Sequence, residues 1–181
     1  WADYWIGSVH NLYDPATGAY HCVDWDREKL AACRDEMFCG NALAMAEGYY
    51  ADVAAMAARC PTILGHIDLV TKFNESAAFF NETAPRYRAA ALEALHAADP
   101  ERTLLEINTG AVSRGYRSTP YPAQFLLRAW RERGGEIILT ADSHQTGTVV
   151  WGYRQAADWA RAAGYTRCMI LTASGHAACP L

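Results

Sequence analysis

Residues 136–172 read EIILTADSHQTGTVVWGYRQAADWARAAGYTRCMILT, and this stretch decides the fold class. The apolar runs at residues 136–140 and 167–172 predict two buried strands. The alanine-rich residues 149–163 between them predict a helix, which Gly164 would close. Two strands separated by a helix favour parallel pairing, because the helix provides the crossover that parallel strands need.

The same alternation extends toward the N-terminus. Further strands are predicted at residues 4–9, 62–65 and 103–107. Further helices are predicted at residues 25–35, 41–59, 79–97 and 122–133, with Pro85 starting or kinking the third of these. The order βαβαβαβαβ predicts an α/β protein with a parallel sheet or barrel, in which residues 167–172 are the last strand. No linker or repeat interrupts residues 1–181, so we predict a single domain.

Composition narrows the class of protein. The 181 residues are 51% hydrophobic and 20% charged, which excludes a disordered chain. The net charge of -4 and the lack of a basic patch argue against nucleic acid as a partner. No apolar run reaches the roughly 18 residues that a membrane span needs, so no membrane partner is expected. Six cysteines without C-x-x-C spacing favour reduced thiols and a cytoplasmic location.

Polar side chains follow four successive predicted strands. In chain order they are His10, then His66 with Asp68, then Glu106 with Asn108, then Asp142 with His144. Because the carboxyl ends of parallel strands meet on one face of a barrel, we expect these side chains to converge there. Histidine and carboxylate are usual ligands of Zn, Mn or Fe, and several together can form a hydrolytic site with more than one metal.

Each of these residues also has a structural interpretation. A single histidine after a strand can be a capping or core residue. Glu106 can be a core carboxylate paired with an arginine, and Asp142 can cap the following helix. The coincidence over four strands favours the functional interpretation.

The loop at residues 108–121 carries a second signal. It contains Arg114 and Arg117 among hydroxyl side chains and leaves the same face as Glu106. A guanidinium binds phosphate bidentately, so we expect a phosphate site on this loop. The alternative is a solvated surface loop.

Four motifs resemble those of the PHP (polymerase and histidinol phosphatase) superfamily, and in particular its histidinol-phosphatase branch. Gly7-Ser8-Val9-His10 resembles G-S-x-H, and Gly65-His66-Ile67-Asp68 resembles G-H-x-D. Glu106-Ile107-Asn108-Thr109 resembles E-x-N-T, and Asp142-Ser143-His144 resembles the end of S-D-x-H, with Ala141 in place of the first serine. The motifs occur in the family's order, from about Asp3 to the last residue.

The resemblance implies a distorted (β/α)7 barrel with parallel strands, outer helices and up to three divalent metals. It implies His10, His66, Asp142 and His144 as metal ligands, with Asp142 and His144 closest to the chemistry. Arg114, with Arg117 as a helper, is implied to bind substrate phosphate, and Glu106 to line the pocket. Asp68 would orient His66 or pack locally. The implied substrate is a small phosphate ester, L-histidinol phosphate, in histidine biosynthesis.

The sequence departs from the family in one respect. The family's first motif, H-x-H, and further His and Glu ligands have no counterpart here, so the chain resembles the C-terminal two-thirds of such a phosphatase. We expect the parent protein to be active and this chain alone to be weakly active or inactive. Three alternatives stay open: a PHP phosphoesterase with another substrate, a non-catalytic PHP-like binding module, and an unrelated metal-free α/β barrel.

Overall fold

A mostly parallel sheet of six strands forms the centre of the molecule. The computed structural model describes residues 2–181, so Trp1, the first residue of the predicted domain, lies outside the described residues. The strands are β1 (Ile6–Gly7), β2 (Asn11–Tyr13), β3 (Tyr20–Cys22), β4 (Ile63–Leu64), β5 (Leu104–Asn108), β6 (Ile137–Thr140), β7 (Arg167–Thr172) and β8 (Gly175–Pro180). The helices are α1 (Arg27–Phe38), α2 (Ala42–Ala57), α3 (Pro85–His96), α4 (Gly110–Ser113), α5 (Gln124–Glu132) and α6 (Tyr153–Ala162).

The central sheet has the order β1-β4-β5-β6-β7-β8. Its first five strands pair in parallel, with Leu64 opposite both Gly7 and Leu105. Every residue of β5 is buried, as expected for a strand that is covered on both faces. The predicted α/β class and the largely parallel sheet are therefore confirmed.

Two strands at the end of the chain correct the prediction of a purely parallel sheet. Residues 167–172 are not the last strand, because β8 folds back and pairs antiparallel with β7. The turn between them has only two residues, and Gly175 provides a positive φ of 117° directly after it. A connection this short permits only an antiparallel pair.

A second correction concerns residues 11–22, for which no strand was predicted. β2 and β3 form a separate antiparallel hairpin. Asp14 closes its loop by accepting hydrogen bonds from Ala16 N and Thr17 Oγ1 at 2.9 and 2.7 Å. These three-residue strands are too short for their alternation to be recognised in the sequence.

Four predicted helices begin two or more residues later than expected, and the first of them, α1, begins at Arg27. α3 begins at Pro85, because the backbone at residues 79–80 instead donates to the buried Asn74 side chain. α5 begins at Gln124, since Tyr121 pairs with Asn108 in an extended bridge. α6 begins at Tyr153, directly after Gly152 with a φ of 75°.

The first half of the chain holds much of the apolar core. Asn41 caps α2 by accepting from Ala44 N at 3.0 Å, and α2 packs along α3. Tyr50 and Tyr87 are buried between these helices, and their hydroxyls form a 2.8 Å hydrogen bond. Within residues 2–181, no helix combines the length and apolarity that crossing a membrane requires.

Candidate active site

The carboxyl ends of the strands border a cavity of about 420 Å³, which we call the strand-end cavity. Four of the predicted site residues line it: His10, Arg114, Asp142 and His144. Four other residues complete its lining: Asp24, Trp25, Lys72 and Tyr116. The fold therefore brings together polar side chains from the ends of strands that are distant in sequence.

His10 is held by a carboxylate that follows the β2–β3 hairpin. Its Nδ1 lies 3.2 Å from Asp24 Oδ2, and its Nε2 lies 3.1 Å from Ser8 Oγ. The hydrogen bond with Asp24 raises the pKa of His10, although partial burial opposes this. Burial disfavours the charged form of Asp24, but the hydrogen bond and charge of His10 outweigh it and lower the pKa of Asp24. With the Nδ1 proton directed at Asp24, Nε2 has the lone pair that a metal or a proton needs.

His66 lies beside His10 in the tight backbone that follows β4. The two imidazole rings meet edge to face with centroids 5.1 Å apart, and His66 has a positive φ of 40°. Gly65, the residue before His66, permits the backbones of β1 and the segment after β4 to lie close together, because a Cβ at residue 65 would lie 3.2 Å from the carbonyl oxygen of Gly7. The Nδ1 atom of His66 is buried and has no hydrogen-bond partner within residues 2–181.

Asp142, His144 and Arg114 form a second group at the cavity. Arg114 Nη2 lies 3.2 Å from Asp142 Oδ2, while its Nη1 lies 3.2 Å from both the Asp142 carbonyl and His144 Nδ1. His144 Nδ1 also lies 2.9 Å from the same carbonyl, so both of these contacts of the imidazole ring are made through Nδ1. Gly110 leaves room for this group, because a Cβ there would lie 2.8 Å from Arg114 Nη2.

Glu106 is buried and does not line the strand-end cavity. Its carboxylate accepts hydrogen bonds from Thr140 Oγ1 at 2.6 Å and from Asn108 Nδ2 at 3.1 Å. Burial raises the pKa of Glu106, and the neighbouring His66 opposes that shift. Its partners are thus a hydroxyl and an amide rather than the arginine that the structural interpretation predicted.

Arg117 lies between two carboxylates. Its Nη1 and Nη2 contact the Glu82 carboxylate at 2.9 and 3.3 Å, and its Nε lies 3.4 Å from Glu75. Its side chain is only 13% exposed and does not line the strand-end cavity. Two carboxylates therefore occupy the guanidinium that was predicted to help bind phosphate.

Asp68 packs locally, which is the second of the two roles predicted for it. Its Oδ2 accepts from the backbone of Ala123 at 2.8 Å, and the described residues include no hydrogen bond between Asp68 and His66. Burial raises the pKa of Asp68 to about 7. This carboxyl group holds the segment before α5 in place.

Four residues of the cavity lining were not predicted from the sequence, and two of them, Asp24 and Lys72, are charged. Lys72 Nζ donates to the Asp24 carbonyl, lies 3.9 Å from Asp24 Oδ2 and lies 4.9 Å from the Tyr116 ring centroid. Burial lowers the pKa of Lys72, and the charge of Asp24 opposes this. The available signal was a single charged residue in the run Leu69-Val70-Thr71-Lys72-Phe73.

The predicted metal ligands do not form a complete site within residues 2–181. No three His, Cys, Asp or Glu side chains in this part of the chain are grouped so that they could hold a metal ion. Individual donors are suitable, since His10 and His144 direct Nδ1 at oxygen atoms and His66 Nδ1 lacks a partner. These residues can therefore contribute to a metal centre but do not constitute one.

Three known proteins to which this chain is similar are named as histidinol-phosphatases or probable histidinol-phosphatases. This chain is 35% identical over 159 residues to the "Probable histidinol-phosphatase" of Deinococcus radiodurans. The match covers 85% of this chain and 51% of that protein. The chain is 27% identical over 157 residues to the histidinol-phosphatase of Bacillus subtilis, covering 82% of this chain and 55% of that protein. The chain thus spans about half the length of these relatives. No family model matches it.

A solved structure shares the fold. The crystal structure of a candidate histidinol phosphatase, HisK of Listeria monocytogenes, matches with a TM-score of 0.69. The match covers 82% of this chain and 56% of that protein at 18% sequence identity.

Proposed function

The chain belongs to the PHP-like histidinol-phosphatase family, and from this premise we propose that the whole protein hydrolyses L-histidinol phosphate to L-histidinol and phosphate, a step of histidine biosynthesis. One observation carries the proposal beyond the family relationship. His10, Asp142, His144 and the cations Lys72 and Arg114 border a single cavity at the strand ends. Acid–base groups and phosphate-binding cations are the combination that phosphomonoester hydrolysis needs.

Lys72 and Arg114 bind the phosphate group in this proposal. Arg114 is one-third exposed and uses only part of its guanidinium on Asp142, so N–H donors stay available. Lys72 lines the same cavity and adds a point charge. The two cations neutralise the charge that develops on the phosphoryl oxygens in the transition state.

His10, His66, Asp142 and His144 are the proposed ligands for up to three divalent ions, Zn, Mn or Fe. Such ions, when bound, supply a water of lowered pKa and neutralise phosphoryl oxygens. The carboxylate of Asp24 holds the His10 ring through Nδ1, and a metal at Nε2 would take the place of the Ser8 hydroxyl that contacts this nitrogen at 3.1 Å. His144 is the candidate for protonating the leaving alkoxide, because it lies beside the proposed phosphate-binding Arg114.

Two wider features belong to the same proposal. The mostly parallel sheet is part of a distorted (β/α)7 barrel, supported by the match to a solved structure with a TM-score of 0.69. A cytoplasmic location stays a prediction, based on the cysteine pattern of the sequence.

The test measures phosphate binding and phosphate release separately, with Mn²⁺, Zn²⁺ or Fe²⁺ present and a panel of phosphate monoesters. We expect a preference for L-histidinol phosphate and a loss of phosphate affinity of about tenfold or more in Arg114→Ala. Arg161→Ala is the matched control, because its exposed side chain pairs only with Asp158 on α6. Equal binding by Arg114→Ala and the unaltered chain would contradict the proposed site.

A second candidate function is phosphate binding without catalysis. It is favoured by the finding that residues 2–181 contain no group of three potential metal ligands. Phosphate binding without any release, at every metal tested, would support this candidate. Release from another monoester in preference to L-histidinol phosphate would instead indicate a different substrate.

A further inference from the structure

We propose that Arg117 is a positioning residue, which sets the distance between Lys72 and Arg114 by joining the two chain segments that carry them. This inference rests on the proposed function, because it takes those two cations as the phosphate site. Arg117 itself does not line the strand-end cavity. Its influence on phosphate would therefore act through its neighbours.

The first segment, residues 71–82, holds Arg117 from two sides. Glu82 accepts two of its N–H groups, and Glu75 lies 3.4 Å from its Nε. Glu82 is itself fixed by the buried Asn74, whose Nδ2 donates to Glu82 Oε1 at 2.8 Å. The guanidinium is thus held in one orientation by a hydrogen-bonded network.

Arg117 also contacts the backbone next to Lys72. Its Nη1 donates to the carbonyl oxygen of Thr71 at 3.1 Å, one residue before Lys72. Thr71 is in turn tied to Asp68 through its hydroxyl at 2.8 Å. A shift of Arg117 would therefore move the peptide that carries Lys72.

The second segment is the loop at residues 114–118, which carries Arg114 and Arg117 three residues apart. Tyr116 packs edge to face on Phe73 with ring centroids 5.2 Å apart, next to Lys72. Ser118 Oγ donates to Glu75 Oε1 at 2.6 Å. These contacts and those of Arg117 join the same two segments, so the loop and residues 71–82 are held as one unit.

The consequence for phosphate follows from geometry. Two cations bind one phosphate well only when their spacing matches its oxygens, and displacements of about 1 Å can be costly. Without Arg117, Glu75 and Glu82 lose the cation that neutralises them, and the loop can separate from residues 71–82. Lys72 and Arg114 would then still be present, but their spacing would no longer match the phosphate oxygens.

The test is a double-mutant cycle of Arg117→Ala and Lys72→Ala, with inorganic phosphate as the probe and calorimetry on the 181-residue chain as the measurement. We expect Arg117→Ala to weaken phosphate binding about tenfold, and less than about twofold when Lys72 is already alanine. Arg86→Ala is the matched control, because Arg86 also pairs bidentately with a glutamate, Glu47, but lines no part of the strand-end cavity.

A merely structural role predicts a different pattern. Arg117→Ala would then weaken binding equally in both backgrounds, and that result, or unchanged binding, would overturn the inference. If Arg117→Ala does not fold, Arg117→Lys enters the same cycle, with an expected loss of about threefold because an ammonium lacks the planar fork. Absence of phosphate binding in the unaltered chain would instead overturn the proposed function, and the inference with it.

Discussion

Arg114 and Arg117 lie on one loop, yet the structure gives them opposite surroundings. Arg114 meets a single carboxylate, Asp142, and faces the strand-end cavity. Arg117 meets Glu75 and Glu82 and is largely buried away from it. A guanidinium has five N–H donors, so the number of carboxylates around it decides whether donors are left for a ligand. The acidic residues that the fold brings near each arginine therefore set its role.

The largest expected effect is on the cavity side, from Asp142→Asn. This change removes the charge that pairs with Arg114 and that we propose as a metal ligand. We expect the rate of phosphate release by the whole protein to fall by between about 100-fold and 1,000-fold, the range seen when one charge-stabilising group is lost. Asp158→Asn, on the exposed face of α6, is the control. Near-normal turnover in Asp142→Asn would contradict its assignment.

The second prediction concerns the pH dependence of stability that arises from Asp68, a fully buried carboxyl group that feels the charge of Arg117. Its pKa is raised from 3.8 to about 7, so between those values the folded state binds more protons than the unfolded state. The contribution of this group to stability is therefore greatest below about pH 4 and decreases as the pH rises through about 7, by roughly 4 kcal/mol in total. Asp68→Asn should remove this decrease in urea unfolding measured at several pH values. An unchanged pH profile would show that Asp68 is not the group responsible.

The third prediction tests the carboxylates that hold Arg117. Glu82→Gln should lower the free energy of unfolding by about 2 kcal/mol, because charge-assisted hydrogen bonds to a poorly exposed arginine are lost. Glu47→Gln alters a comparable pair with the more exposed Arg86 and should cost at most about 1 kcal/mol. Chemical denaturation of both variants compares them directly. Equal losses would remove the distinction between the two glutamates.

The smallest expected effect comes from Gly110→Ala on the cavity side. The added Cβ would lie 3.0 Å from Asp142 Cβ and 2.8 Å from Arg114 Nη2, so the arginine must shift. We expect phosphate binding to weaken about tenfold, or 1.4 kcal/mol. At Gly147 a Cβ would meet nothing within 4 Å, so Gly147→Ala is the matched control. Equal phosphate affinity in the two variants would indicate that Arg114 tolerates displacement.

Much of the fold could be predicted from local pattern. The apolar runs of β5, β6 and β7 and the alanine-rich α2 are found where their periodicity places them. The hairpin of β2 and β3 was missed because its strands have three residues each. Pro85 starts α3, which is one of the two roles predicted for it, and residues 79–80 lie outside the helix because their backbone binds the Asn74 side chain.

Some residues of the candidate site could likewise be predicted from the sequence, and others could not. His10, Asp142 and His144 could be located because each follows a strand, and the ends of parallel strands meet on one face. Asp24 and Lys72 could not, since neither follows a strand of the central sheet. They reach the cavity through the hairpin and the segment after His66, whose paths are set by contacts distant in sequence.

The α/β class, the resemblance to a phosphatase family and the strand-end residues could be predicted from the sequence alone, because periodicity and motif spacing are local properties of the chain. Which charged residues pair with each other depends on the tertiary structure. Arg114 faces the cavity and Arg117 is enclosed because Asp142 comes from the end of β6, whereas Glu75 and Glu82 come from the segment before α3. Ion pairing depends on distance and burial in space, which no spacing along the chain specifies.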